Sequence, residues 1–126
     1  MIKKNSKERL VYFNGDFVPE SEAKVSIYDS SLMLGDMVFE MTRSFNGKHF
    51  KLQEHIDRLF LGLKILKIKI PLNKKELYDI CLLTSKKNLP LFSKDDEHRI
   101  MIDISRGLLG IYENNVNIRK GSNIIV

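Results

Sequence analysis

The sequence from Gly35 to Leu59 reads G-D-M-V-F-E-M-T-R-S-F-N-G-K-H-F-K-L-Q-E-H-I-D-R-L, and much of the fold can be predicted from it. It combines a strand, an Asn46-Gly47 pair typical of a tight hairpin turn, a short returning strand and the start of an amphipathic helix. We expect this helix to cover residues 53–67 and to hold Arg58 in its first turn. A guanidinium beside the free amide groups of a helix N-terminus suits a phosphate, so the sequence predicts a candidate anion site.

Alternation along the hairpin's first strand, residues 38–45, sorts its side chains onto two faces. One face carries Val38, Glu40, Thr42 and Ser44, and the other carries Phe39, Met41, Arg43 and Phe45. Arg43 is therefore a charge on an otherwise apolar face. Such a charge requires an anion or a wet cavity near it.

The rest of the chain adds strands and one more helix. A turn at Asn14-Gly15 predicts a first hairpin, and residues 99–105 alternate as a strand does. Residues 25–28 also alternate and are predicted as a strand, followed by a connection that Asp29 can cap. Asn73 and Glu76 have capping-box spacing at the start of a second helix that ends near residue 88. Together these elements indicate an α+β fold, an antiparallel sheet with two consecutive helices packed on one face.

Length and composition limit the classes of protein that fit. A chain of 126 residues has room for one domain, and its hydrophobic fraction of 43% is compatible with a folded core. The net charge of +5 comes mainly from lysines scattered singly and in pairs, which favours a solvated surface over a nucleic-acid partner. No apolar run reaches the length of a membrane span, so no membrane partner is expected.

Cysteine and histidine usage gives further expectations. The single cysteine, Cys81, lies on the apolar side of the second predicted helix and is expected to be buried and inert. A lone cysteine and a polar N-terminus without a signal-peptide pattern favour the cytoplasm. No histidine and carboxylate combination has metal-ligand spacing, so no metal site is predicted. For His55, proton transfer and a local backbone hydrogen bond are the two interpretations, and the second is favoured.

The motifs resemble one known family. The Tyr12–Gly15 stretch, the Ala23–Ser26 stretch and the long stretch quoted above, with its His55-x-x-Arg58-Leu59 motif, resemble in order and spacing the N-terminal domain of class IV aminotransferases. These are pyridoxal-phosphate enzymes of fold type IV. The family includes branched-chain aminotransferases, D-amino-acid aminotransferases and aminodeoxychorismate lyase.

The resemblance implies a cofactor and candidate site residues. Arg58 matches the arginine that holds the phosphate of pyridoxal phosphate, whereas the alternative from the residues alone is a surface pair with Glu54. Phe39, Arg43 and Leu34 match positions around the substrate pocket. The Phe39-Glu40-x-x-Arg43 pattern is closer to branched-chain enzymes, which implies amino transfer from a branched-chain amino acid to 2-oxoglutarate, and a homodimer.

The family's catalytic lysine, which forms a Schiff base with the cofactor, lies in a second, larger domain, and no lysine here matches its motif. We therefore expect a truncated chain, inactive alone and without a catalytic residue of its own. Its expected parts are a flexible leader at 1–9, an N-terminal domain at 10–113, and a linker with the start of the next domain at 114–126. The alternatives are a D-amino-acid aminotransferase, a lyase acting on aminodeoxychorismate, and a non-catalytic binding or scaffold domain.

Overall fold

A computed structural model describes residues 8–114 and 117–126. Most of the predicted leader lies outside these residues. The strands are β1 (Leu10–Phe13), β2 (Asp16–Pro19), β3 (Met37–Phe45), β4 (Lys48–His49), β5 (Arg99–Ser105) and β6 (Asn123–Ile125). The α-helices are α1 (Ser30–Leu34), α2 (Leu52–Leu66) and α3 (Lys74–Asn88), and short 3-10 helices cover Glu20–Glu22, Leu89–Leu91 and Gly110–Tyr112.

The strands form one antiparallel sheet in the order β2-β1-β6-β5-β3-β4. Both predicted hairpins are confirmed. Asn14 and Gly15 turn β1 into β2 with φ of 53° and 107°, and Asn46 and Gly47 turn β3 into β4 with φ of 52° and 73°. Positive φ at both central residues is what a tight hairpin turn requires, and Asn-Gly tolerates it well.

The strand β6 lies between β5, the strand that precedes it along the chain, and β1, which is far from it in sequence. Its Ile125 pairs with Phe13 on one side and with Asp103 on the other. The stretch predicted as a linker and the start of another domain thus contributes a strand to this sheet. The boundary at residue 113 remains a prediction.

The two long helices cover one face of the sheet, as the sequence predicted for an α+β fold. The core between them consists of Ile100, Ile102 and Ile104 from β5 together with Ile56, Leu59, Leu63, Leu77 and Cys81 from the helices, all of them buried. Helix α2 comes so close to β3 that a Cβ added at Gly62 would lie 2.9 Å from Cγ1 of Val38. Burial raises the pKa of the Cys81 thiol to about 12, which agrees with the expected inert thiol.

Local signals set the starts of the helices. Lys51, at φ 50°, precedes α2, which begins one residue earlier than predicted. The capping box that starts α3 is confirmed. The Asn73 side chain accepts a hydrogen bond from the Glu76 amide at 2.8 Å, and the Glu76 carboxylate accepts one from the Asn73 amide at 2.7 Å.

The predicted strand at residues 25–28 is wrong. The Ser26 hydroxyl accepts a hydrogen bond from the Tyr28 amide, and the Ser26 carbonyl accepts one from the Asp29 amide, so the chain turns here. Asp29 caps α1 as expected, with its Oδ1 accepting from the Ser31 amide at 2.9 Å. Its Oδ2 accepts from Ser105 Oγ at 3.0 Å and from Asn123 Nδ2 at 2.6 Å. Asp29 thereby joins α1, β5 and β6.

No helix in the described part of the chain is both long enough and apolar enough to cross a membrane.

Candidate functional site

Arg58 lies in α2, but not where the sequence suggested. The helix begins at Leu52, so Arg58 is roughly 9 Å further along the axis and past the first turn. Arg58 is therefore outside the first turn, where the sequence had placed it beside the free amide groups. The Arg58 side chain is 70% exposed, and its ion-pair partner is not Glu54 but the carboxylate of Glu40 in β3.

Glu40 is the centre of the cluster that holds Arg58. Its Oε1 accepts from Arg58 Nε at 2.5 Å, and its Oε2 accepts from Arg58 Nη2 at 2.8 Å. Oε2 also lies 2.6 Å from His55 Nδ1, whose proton position depends on the tautomer. Glu40 is only 6% exposed, so a buried carboxylate is shared between two side chains of α2. The favoured expectation for His55, a local backbone bond from its ring, is therefore wrong.

The electrostatics of this cluster are those of an ion pair. Hydrogen bonds from the Arg58 guanidinium, together with those from His55, hold the pKa of Glu40 below its ordinary value despite burial, which acts in the opposite sense. The same contact raises the pKa of Arg58. Glu40 is therefore an anion at neutral pH.

Two Arg58 nitrogens point to Glu40, and among the described residues no hydrogen bond is recorded for the third, Nη1. A guanidinium has five N–H donors in one plane, so Arg58 keeps donors for a second anion. An exposed arginine that is fixed on one edge and available on the other fits a phosphate group. The residues present are thus compatible with the cofactor phosphate that the motif implied.

Phe39 and Arg43 lie on the face of β3 opposite to Glu40. This face is uncovered in the described chain, with Phe39 64% exposed, and Met41 and Met101 continue the apolar surface. The Arg43 guanidinium lies 4.2 Å from the centre of the Phe45 ring, and its Nε donates to the Ser44 carbonyl at 3.1 Å. The Arg43 guanidinium therefore stacks on the exposed ring of Phe45, one of the apolar side chains on the same face.

The polar face of β3, by contrast, is the buried one. Thr42 donates to the Phe50 carbonyl, Ser44 donates to Glu97, and Glu40 receives Arg58. Each of these buried polar groups therefore has a partner, which removes the cost of placing it under the helices. An exposed apolar face on the other side is typical of a surface that another part of a protein or a ligand covers.

The four predicted site residues do not converge on one pocket within these residues. Arg58 is on the helix side of β3, Phe39 and Arg43 are on the open side, and Leu34, 68% exposed, ends α1 before β3 begins. A cavity of about 490 Å³ between the starts of β1 and β5 is lined by none of the four. Phe39 and Arg43 belong to β3, and Arg58 contacts this strand through Glu40.

The outer edge of β3 connects the two faces. β3 pairs with β5 along Met37 to Arg43, whereas β4 pairs with it only at Ser44 and Phe45. In the described part of the chain no strand covers the earlier part of this edge. This open edge separates the face of β3 that carries Glu40 from the face that carries Phe39.

Sequence reasoning missed Glu40 and the role of His55. The signal was available in the alternation of β3, because Glu40 shares a face with Val38 and Thr42, and a carboxylate there needs a cation if that face is buried. The sequence did not show which face of β3 the helices cover. Within the described residues, no group of three or more His, Cys, Asp or Glu side chains is arranged to hold a metal ion.

Comparison with known proteins places this geometry in context. The amino-transferase class IV model matches residues 37–125. A Methanocaldococcus jannaschii protein named as a putative branched-chain-amino-acid aminotransferase is 50% identical over 78 residues, which make up 62% of this chain and 27% of that protein. A Listeria monocytogenes D-alanine aminotransferase is 39% identical over 70 residues, or 56% of this chain and 24% of the relative.

The fold agrees as well. The crystal structure of a branched-chain aminotransferase from the thermophilic archaeon Thermoproteus uzoniensis, solved with norvaline, matches with a TM-score of 0.74 at 26% identity. The match covers 94% of this chain and 39% of that one. The chain therefore spans between 24% and 39% of the length of these three relatives. Since the family model covers most of the chain and the fold is that of solved members, the chain belongs to the class IV aminotransferase family.

Proposed function

We propose that this chain is the part of a pyridoxal-phosphate-dependent aminotransferase that holds the cofactor's phosphate and forms one wall of the substrate pocket. The proposed reaction moves the amino group of a branched-chain amino acid to 2-oxoglutarate. The relatives named as branched-chain enzymes support this substrate class, as does the Phe39-Glu40-x-x-Arg43 pattern.

The observation that carries the proposal is the arrangement of Arg58. Its guanidinium is held on one edge by the buried Glu40, and Nη1 has no recorded hydrogen bond within the described residues. A planar fork with free donors suits phosphate oxygens, which accept such bonds in pairs. Arg58 would therefore anchor the phosphate and fix the position of the ring attached to it.

The open face of β3 would receive the substrate side chain. Phe39 offers an apolar surface there, Leu34 adds a second one at the end of α1, and Arg43 adds a positive charge. When bound, pyridoxal phosphate supplies an electron-accepting ring that stabilises negative charge at the substrate carbon. The role of the Schiff-base lysine is not assigned to any residue of this chain.

The test uses the product of the complete reading frame in which these residues lie. Purified enzyme is supplied with pyridoxal phosphate and 2-oxoglutarate, and glutamate formation is followed with L-leucine, L-valine or D-alanine as the donor. We expect turnover with the L-branched donors. We also expect Arg58→Ala to weaken cofactor affinity by roughly ten- to hundredfold, as loss of charge-assisted hydrogen bonds does.

Asp57→Asn is the matched control, because Asp57 is adjacent to Arg58 in the chain but forms its ion pair with Lys74, outside the contact between Arg58 and Glu40. Its cofactor affinity should stay within about twofold of the parent, since exposed pairs contribute little. Unchanged cofactor affinity in Arg58→Ala, or no amino transfer with any donor, would rule out the proposal.

A D-amino-acid aminotransferase is the second candidate, because a D-alanine aminotransferase is 39% identical over 70 residues. The comparison of amino donors separates the two candidates, since faster turnover of D-alanine than of L-leucine would favour the D-amino-acid enzyme.

The proposal also includes assembly as a homodimer and location in the cytoplasm. The single buried cysteine fits a reducing compartment, and sedimentation of the complete enzyme measures the dimer.

A further inference from the structure

The proposed function treats Glu40 only as a contact of Arg58, yet its carboxylate is the most buried member of the Arg58 cluster. It is 6% exposed, whereas the Arg58 side chain is 70% exposed. A buried carboxylate is costly unless cations and donors satisfy it. Glu40 is satisfied by Arg58 through two hydrogen bonds and by His55 through one.

The form of the contact matters as much as its charge. Arg58 meets Glu40 through Nε on one oxygen and Nη2 on the other, which fixes the plane and direction of the guanidinium. An exposed arginine without such a clamp samples many rotamers, and ordering it on binding costs affinity. The two hydrogen bonds to Glu40 order the guanidinium before a ligand binds and so reduce that cost. Glu40 is part of β3 and also contacts His55 of α2, so the packing of the helix on the strand sets the orientation of the Arg58 guanidinium.

We propose that Glu40 is a positioning residue for phosphate recognition: its carboxylate orients Arg58 so that the outer edge of the guanidinium faces a phosphate monoester. His55 supports this arrangement by holding Oε2 from the same helix, 2.6 Å from its Nδ1. The inference rests on the proposed function of Arg58 and adds the residue that orients this arginine.

A rival account predicts the opposite effect of Glu40→Gln on phosphate affinity. If Arg58 acted only as a positive charge, Glu40 would weaken it, because a carboxylate beside the guanidinium lowers the local positive potential. Glu40→Gln would then strengthen phosphate binding. In the positioning account Glu40→Gln weakens it, because the amide has one acceptor oxygen where the carboxylate has two, and its NH2 faces an Arg58 donor.

The experiment measures how much the phosphate contributes to binding, separately from activity. Apo enzyme from the complete reading frame is titrated with pyridoxal phosphate and with pyridoxal, which share the ring and aldehyde and differ only in the phosphate ester. The ratio of the dissociation constant for pyridoxal to that for pyridoxal phosphate isolates the phosphate contribution. Arg58→Ala sets the ratio that remains when the guanidinium is absent.

We expect Glu40→Gln to lower this ratio about tenfold, equivalent to losing one hydrogen bond, while pyridoxal binds as in the parent. A merely structural role would weaken both ligands in parallel and leave the ratio unchanged, which would overturn the inference. An increased ratio would overturn it in favour of the charge account. Asp57→Asn, which removes a neighbouring carboxylate without touching Arg58, should keep the parent ratio.

Arg58→Lys is the second variant, because it lies at an exposed position and tests the same idea even if Glu40→Gln does not fold. Lysine keeps the charge but has no planar fork to be clamped by Glu40. Its ratio should fall close to that of Arg58→Ala, and a ratio equal to the parent's would overturn the inference. If the parent itself bound both ligands equally, the proposed function would fail with it. A parent preference lost in Arg58→Ala but kept in Glu40→Gln would overturn the positioning role alone.

Discussion

Replacing Asp29 by Asn should destabilise the chain strongly, although the change is isosteric. Asp29 is 1% exposed, and its two oxygens accept from Ser31, Ser105 and Asn123. Burial alone raises the pKa of Asp29, but these hydrogen bonds outweigh it and leave the pKa below its ordinary value. The native carboxylate is therefore charged and bound only by neutral donors.

The magnitude follows from the donors that Asn leaves without an acceptor. An asparagine presents an NH2 group either to Asn123 Nδ2, which now donates over 2.6 Å, or to the Ser31 amide, which donates over 2.9 Å. Either orientation sets two donors against each other. Losing one hydrogen bond to a charged acceptor and leaving its buried donor unpaired should cost about 3 kcal/mol in the free energy of unfolding.

Urea denaturation at pH 7, followed by circular dichroism, measures the loss. Asp95→Asn is the matched control, because Asp95 is exposed in the loop before β5 and should change stability by less than about 0.5 kcal/mol. A loss below about 1 kcal/mol for Asp29→Asn would refute the hydrogen-bond reasoning.

The pH dependence provides a second check on Asp29. A carboxyl group whose folded pKa is lowered stabilises the fold above its unfolded pKa of roughly 3.9, and that contribution is lost as the pH falls through the folded pKa. The difference between parent and variant should therefore be equal at pH 7 and pH 5, and should shrink in stronger acid. A difference that already shrinks between pH 7 and pH 5 would contradict the direction of the shift.

Three further outcomes are expected. Gly62→Ala should destabilise by about 1–2 kcal/mol in thermal melts despite the better helix propensity of alanine, because its Cβ would meet Val38 at 2.9 Å, and the same change should cost less when it is made in a Val38→Ala background. Cys81 should resist iodoacetamide at pH 8 in the native chain and react in urea, because burial raises its pKa to about 12; rapid native labelling would contradict this. Burial and the nearby His98 lower the pKa of His49, so its contribution to stability is lost as the pH falls through the unfolded value of roughly 6.5. The melting temperature should therefore fall between pH 8 and pH 5, and it should fall less in His49→Gln.

Elements with local signals could be predicted from the sequence. The Asn-Gly pairs at 14–15 and 46–47 gave both hairpins, because positive φ at two successive residues is a local property. The capping box of Asn73 and Glu76 gave the start of α3 for the same reason. The false strand at 25–28 shows the limit, because the hydroxyl of Ser26 bonds the backbone and overrides an alternating pattern.

The remaining features depend on contacts distant in sequence. Alternation shows which β3 residues share a face, but it does not show that α2 covers the face of Glu40 rather than that of Phe39. The Glu40–Arg58 pair joins a strand to a helix and has no spacing rule to reveal it. The placement of β6 between β1 and β5 is also non-local, since a strand's neighbours in a sheet are set by the whole topology.

The position of β6 has a consequence for the order in which the chain folds. The hairpin of β1 and β2 reaches β5 in the sheet only through β6, so these early strands have no route into the sheet until residues 123–125 have been synthesised. Pairing of Phe13 with Ile125 closes a loop of nearly the whole chain, and such contacts slow folding. On the ribosome, β3, α2, α3 and β5 can assemble first, while the edges of β1 and β5 stay unpaired and vulnerable to wrong partners.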